Sequence, residues 1–196
     1  LRETALDLVA GELRRVKETF DPLGLFNPAK IIDTPPIMAV SDSQGVPLEF
    51  YHRMDRLPHV HQRYGLYRGV RPLRIDHFNC FSPDVDASVA FYNDFGFRVT
   101  EYTEDADSGR LWAAWMHRKG GVHDIAFTNG RGPRLHHVAF WVPTPLAIID
   151  LLDLMATSGY VGNIERGPGR HGISNAFFLY VRDPDGNKLC ALHRPM

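Results

Sequence analysis

Cysteine is scarce in this chain: Cys80 and Cys190 are the only two in 196 residues. So small a number excludes a disulfide framework and fits a reducing cytoplasm, although one bridge between the two stays open at this point. Long apolar runs are missing as well. None approaches the roughly 20 residues of a membrane span, and the start of the chain lacks the pattern of a secretory leader. Nor is there an excess of charge of one sign, because 22 basic residues stand against 23 acidic ones and leave a net charge of -1. Without a basic run, neither nucleic acid nor an anionic membrane surface is an expected partner. What remains is a cytoplasmic globular protein that acts on a small molecule. Its 44% hydrophobic and 11% aromatic residues are enough for one large core or two small ones.

Residues 1–20, LRETALDLVAGELRRVKETF, place Leu6, Val9, Leu13, Val16 and Phe20 three or four apart, the spacing of one apolar helical face. The helix should stop near FDPLGLFNPAK, where two prolines and a glycine favour turns. That segment resembles the C-terminal end of FAD-linked glycolate or lactate oxidases. The resemblance ends before residue 35 and includes no flavin-binding machinery, so it implies no redox activity. Residues 1–41 are therefore expected to be a helical appendage, and 42–72 a remnant strand, QGVPLEFYHRM, with an Arg- and His-rich connector. Residues 73–196 should form the main domain.

Within that domain the chain repeats itself. Arg74-Ile75-Asp76-His77-Phe78 matches Arg134-Leu135-His136-His137-Val138, and Pro83 matches Pro143, both at an offset of 60 (137 minus 77, 143 minus 83). Each copy continues into a helical stretch, VDASVAFYNDF or LAIIDLLDLMATS, and then a glycine suited to end it, Gly96 or Gly159. Three short strand-like segments follow each helix: FRVTEY, RLWAAWMH and VHDIAFT, then YVGNIE, NAFFLYV and NKLCALH. The expected fold is α+β, with paired βαβββ modules forming a curved mixed sheet around a metal site. A second echo aligns Asp42–Phe50 with Asp183–Ala191, setting Glu49 against Cys190; if the first copy belongs to an earlier module, most of that module is expected to be absent from this chain.

The stretch RLHHVAF puts two histidines side by side. Successive strand side chains point to opposite faces, so His136 and His137 should not serve the same pocket. His77 and His137 hold equivalent positions, and pseudo-twofold pairing of the copies would bring both imidazoles to one centre. Two histidines and a carboxylate around Fe(II) leave positions open for substrate and dioxygen. A single strand histidine is more often packed or hydrogen-bonded than metal-bound; symmetric placement favours the metal reading.

The motifs RIDHFN, AAWMHRKGGVHDIAF, GPRLHHVAF and IERGPGRHGISNAFFLYVRDPDG resemble the catalytic domain of extradiol ring-cleaving dioxygenases of the vicinal oxygen chelate superfamily, which has a glyoxalase-like fold. The likeness runs from near residue 42 to near residue 192. It implies His77 and His137 as metal ligands, His123, His171 and Tyr180 as catalytic residues, and Asn79, Trp115 and Arg166 as substrate-binding ones. His123 would relay a proton, and His136 would be the neighbour that points away. It further implies Fe(II) as cofactor with Mn(II) as the alternative, and an aromatic diol resembling 3,4-dihydroxyphenylacetate plus O2 as substrates, Arg166 meeting the acidic side chain. A homo-oligomer stays open. The third ligand departs from the pattern, because Cys190 stands where the family has glutamate. A thiolate is a softer ligand and would change the site's charge and redox behaviour. Two other readings stand beside ring cleavage: a catalytically silent binding or assembly module, and another metal-dependent chemistry of the superfamily such as glyoxalase-like isomerisation or thiol transfer.

Overall fold

The computed structural model describes residues 37–51 and 70–194. The expected helix over 1–20, the oxidase-like turn and most of the Arg- and His-rich connector lie outside them. Two compact units make up the chain, residues 1–58 and 59–196. In the first, β1 (Ile37–Ser41) and β2 (Pro47–Tyr51) form an antiparallel hairpin with Val40 opposite Leu48. Asp42 shapes the turn by accepting from the backbone amides of Gln44 and Val46, and Gly45 supplies the positive φ of 90°. Strand β1 was not foreseen and falls within the segment expected to be helical.

The second unit realises the repeat. Its first copy comprises β3 (Arg74–Ser82), α1 (Val85–Asp94), β4 (Arg98–Glu104), β5 (Leu111–His117) and β6 (Ile125–Asn129). The second comprises β7 (Arg134–Trp141), α2 (Pro145–Thr157), β8 (Ile164–Arg170), β9 (Phe177–Arg182) and β10 (Lys188–His193). One eight-stranded sheet results, in the order β4-β5-β6-β3-β7-β10-β9-β8. That order is symmetric about the central β3–β7 pair, which runs antiparallel, while β3–β6 and β7–β10 are each parallel. The sheet is curved and unclosed. Its curvature lets the Ser174 amide reach Glu101 Oε1 on the opposite half at 3.4 Å.

Both helices begin in the same way. Asp84 and Thr144 accept from the amides of Ala87 and Ala147 respectively, satisfying an otherwise orphaned donor. Their ends at Gly96 and Gly159, with φ of 79° and 84°, are 63 residues apart rather than 60, because α2 has 13 residues and α1 has 10. Alternation along β9 and β10 separates two apolar layers. Leu179 and Ala191 pack with Val142, Ala147 and Ile148, whereas Phe178, Cys190 and Leu192 pack with Ala139.

The expected strand YVGNIE is displaced. Val161–Asn163 forms a short 3-10 turn, and β8 then runs through Gly167-Pro168-Gly169. Such a sequence is tolerated because β8 is the sheet's edge, paired to β9 alone and with two register irregularities.

Candidate metal centre and cavity

The central pair of strands is irregular at two equivalent places. Opposite β7, β3 skips Asp76, with Ile75 facing Phe140 and His77 facing Ala139. Opposite β3, β7 skips His136, with Asn79 facing His137 and Cys80 facing Leu135. Each bulged residue immediately precedes one of the two symmetric histidines, and a bulge re-aims side chains. Asp76 Oδ2 thus accepts from His77 Nδ1 at 2.9 Å, and His136 Nδ1 meets His137 Nδ1 at 2.9 Å. His136 stays outside the cavity lining, and the bulge brings it against the outer nitrogen of His137. The period-two rule fails there because the strand is not regular, and His136 backs His137 without lining the cavity itself.

With their outer nitrogens engaged, the two rings turn Nε2 inward, and the Nε2 atoms lie 3.1 Å apart. Two adjacent ligands about 2.1 Å from one cation, at right angles, would be roughly 3.0 Å apart. The spacing therefore fits two neighbouring coordination positions. A proton shared between the Nε2 atoms is what a cation would displace.

Asp76 is buried and carries three bonds: His77, Arg194 Nη2 at 2.7 Å and Arg74 Nη2 at 3.1 Å. Burial alone would raise its carboxyl, but these donors outweigh burial and hold it below the usual carboxylate range. Burial lowers His77 as well, against the Asp76 hydrogen bond. For His123 and His137, burial and then the positive potential of neighbouring groups bring the pKa down to about 2. All three rings are neutral at neutral pH, as metal ligation requires.

A cavity of about 330 Å³ opens on the paired nitrogens. Of the expected site residues, His77, His137, His123, His171, Tyr180, Asn79 and Trp115 all line it. His123 lies 4.1 Å from His77 between ring centroids, and neither of its ring nitrogens has a hydrogen-bond partner. Asn79 Oδ1 accepts from Thr128, which fixes its amide. His171 stacks on Phe178 at 4.0 Å, and its Nε2 lies 3.4 Å from the Tyr180 hydroxyl. Burial raises the Tyr180 phenol, so it stays a neutral donor.

Two expected residues are not brought in. Arg166 is exposed on β8, opposite Tyr180, and does not line the cavity, although its charge reaches His171 and Tyr180. Cys190 is fully buried opposite Ala139 and Tyr180, outside the lining, and burial pushes its thiol up to about 12. Among the described residues, no three His, Cys, Asp or Glu side chains gather to hold a metal ion. The two histidines fit a divalent cation, but a full two-histidine, one-carboxylate set is not present. No disulfide joins Cys80 and Cys190, both of which are buried.

Sequence reasoning missed Asp76 and Arg194. Asp76 had a signal, since the repeat aligns it with His136 beside the second symmetric histidine. Arg194 follows the last strand and carried none.

Residues 74–191 match the model of the glyoxalase/bleomycin resistance protein/dioxygenase superfamily. A metapyrocatechase of Geobacillus stearothermophilus is 36% identical over 126 residues, covering 62% of this chain and 37% of that protein. A manganese-dependent 2,3-dihydroxybiphenyl 1,2-dioxygenase of Geobacillus genomosp. 3 is 34% identical over 160 residues, or 74% of this chain and 50% of that one. Among solved structures, homoprotocatechuate 2,3-dioxygenase of Arthrobacter globiformis superposes with a TM-score of 0.74 at 47% identity, covering 79% of this chain and 48% of the other. An extradiol ring-cleaving dioxygenase of Brevibacterium fuscum gives 0.75 and 47%, over 81% and 44%. The chain spans half or less of the length of these relatives. With the doubled βαβββ unit, the central histidine pair and a family match over the whole repeat, the chain belongs to the glyoxalase/bleomycin resistance protein/dioxygenase superfamily.

Proposed function

We propose that the cavity takes an aromatic diol of the 3,4-dihydroxyphenylacetate type and that the activity it serves is extradiol ring cleavage with O2. The observation that carries this reading is the convergence of His77 and His137 Nε2 at 3.1 Å, at the floor of a cavity whose other walls are His123, Asn79, Trp115, His171 and Tyr180. A divalent metal, Fe(II) or Mn(II), held by the two histidines would chelate the diol and bind dioxygen beside it.

The chain's own residues do the rest. Trp115 and Tyr180 confine the aromatic ring, and Asn79, with its amide oriented by Thr128, offers a hydrogen-bond donor. His123, neutral and with both nitrogens unengaged, accepts the proton that leaves the diol and returns it as the ring opens. Negative charge arriving with the catecholate raises the basicity of His123 from its depressed value. Tyr180 and His171 meet through the phenol hydroxyl and Nε2, and Tyr180 packs on His137. Arg166, outside the lining but with its charge reaching His171 and Tyr180, is the candidate for an acidic side chain that projects outward.

One specific observation favours a second reading, a binding module without turnover: no carboxylate lines the cavity and Cys190 is withdrawn into the core. Fe(II)-supplied protein offered 3,4-dihydroxyphenylacetate separates the two in an oxygen electrode. Ring cleavage predicts oxygen uptake that Cys190→Glu increases. Neither protein consuming oxygen, with metal bound in both, would support the silent module.

A further inference from the structure

The sheet is unclosed, and a hydrogen bond bridges its two halves. Strand β4 is the edge strand of the first copy, and Glu101 is the one residue of its seven that is not exposed. A register irregularity aims it: Val99 faces Met116 and Glu101 faces Trp115, so Thr100 is skipped. Glu101 Oε1 accepts from the Ser174 amide of the second copy at 3.4 Å, while Oε2 is buried with no hydrogen-bond partner. Ser174 sits in the strap 171–176 that joins β8 to β9, and this strap gives the cavity His171, Gly172, Ile173, Ser174 and Ala176. The base of the strap is firm, since the His171 amide donates to the Ala176 carbonyl and Arg170 Nη1 to the Asn175 carbonyl, both at 2.9 Å. Its tip is not. Ser174 and Asn175 both adopt left-handed backbone, with φ of 57° and 51°, a conformation that is costly for a residue with a Cβ.

We infer that Glu101 is a positioning residue for the cavity: it clasps the tip of the strap, so that Ile173 and Ser174 form a wall while the bond is made and swing clear to admit a ligand when it breaks. Closure is finely balanced. The long bond to Ser174 favours it, whereas the left-handed pair and the unhydrated Oε2 oppose it, and opening returns that oxygen to water. With its base tied, the strap moves as a hinged unit. The clasp depends neither on a metal nor on which ligand the cavity takes, so it stands apart from the ring-cleavage reading. An inward carboxylate on an edge strand has another use, keeping that edge from pairing with a second chain, and the test separates the two.

The test is amide hydrogen exchange by NMR on the full chain and on Glu101→Ala and Glu101→Gln, read at Ser174, at His171 in the base of the strap and at Ala139 on the central strand β7. The inference predicts exchange at Ser174 about tenfold faster in Glu101→Ala, the factor expected of one charge-assisted contact, with His171 and Ala139 unchanged. Glu101→Gln keeps an acceptor oxygen and should restore most of the protection. Trp115, which lines the cavity, gives a second readout. In a chain carrying Trp112→Phe and Trp141→Phe, acrylamide should quench Trp115 more strongly once Glu101→Ala is added. Exchange at Ser174 that is equal in all three proteins would overturn the inference. So would a rise shared by Ala139, or quenching of Trp115 that stays at the parent level. Dimerisation of both Glu101 variants in sedimentation velocity, with Ser174 still protected, would assign the carboxylate to guarding the edge instead.

Discussion

Asp76 and His136 show how much a single bulged residue can contribute. Each occupies the skipped position before a central histidine, and each meets that histidine's outer nitrogen. The two supports differ in kind. Asp76 is a carboxylate anchored by Arg194 and Arg74, while His136 leads to Lys188 at 3.2 Å and through it to Glu165. An outer carboxylate fixes ring orientation and tautomer, leaving Nε2 free as a lone pair. Asp76→Asn is accordingly expected to weaken Mn(II) binding by about 10–100-fold, read by calorimetric titration, with circular dichroism unchanged. Acidity gives a second expectation. His77, His123 and His137 are buried and their folded pKa values lie below the unfolded 6.5, so the unfolded chain binds more protons as pH falls. Stability of the metal-free protein should be intact above about pH 6.5 and decline below it, each group adding up to about 1.4 kcal/mol per pH unit. Urea midpoints measured between neutral and mildly acidic pH check this, and a midpoint that rises on acidification would contradict it.

The doubled unit was legible because its signals are local. Histidine and proline at one offset and a glycine after each helix recur, and the segments between have strand character. Where those local rules are relaxed, sequence pattern and structure part. Gly-Pro-Gly belongs to a strand only because β8 has a single neighbour, and the two bulges depend on pairing across the sheet, which no window of sequence contains. The convergence of His77 and His137 was readable from symmetry, whereas the withdrawal of Cys190 from the cavity and the approach of Arg194 depend on tertiary packing. Two substitutions probe the elements that set the site. Ile148, fully buried on α2 against Leu179, should lose about 2–5 kcal/mol on truncation to alanine, seen as a lower urea midpoint. Gly132 sits just before β7, where an added Cβ would lie 2.3 Å from the Phe81 carbonyl oxygen. Gly132→Ala should therefore push β7 away from β3 and destabilise the fold by about 1–3 kcal/mol, with metal affinity falling alongside because the two histidines ride on those strands.

For the molecule as a whole, two copies of one supersecondary unit meet along β3 and β7, and the symmetry of that meeting brings one histidine of each copy to a single point. Curvature of the joined sheet then wraps the cavity walls around it, with His123 from one copy and His171 and Tyr180 from the other. No helix among the described residues is long and apolar enough to cross a membrane. Pulsed electron paramagnetic resonance on the Mn(II)-loaded chain reads the shared centre without reference to turnover. One Mn(II) per chain coupled to two imidazole nitrogens, with His77→Ala and His137→Ala each removing one coupling, is the predicted result. Mn(II) without nitrogen couplings, or with couplings that neither substitution alters, would contradict it.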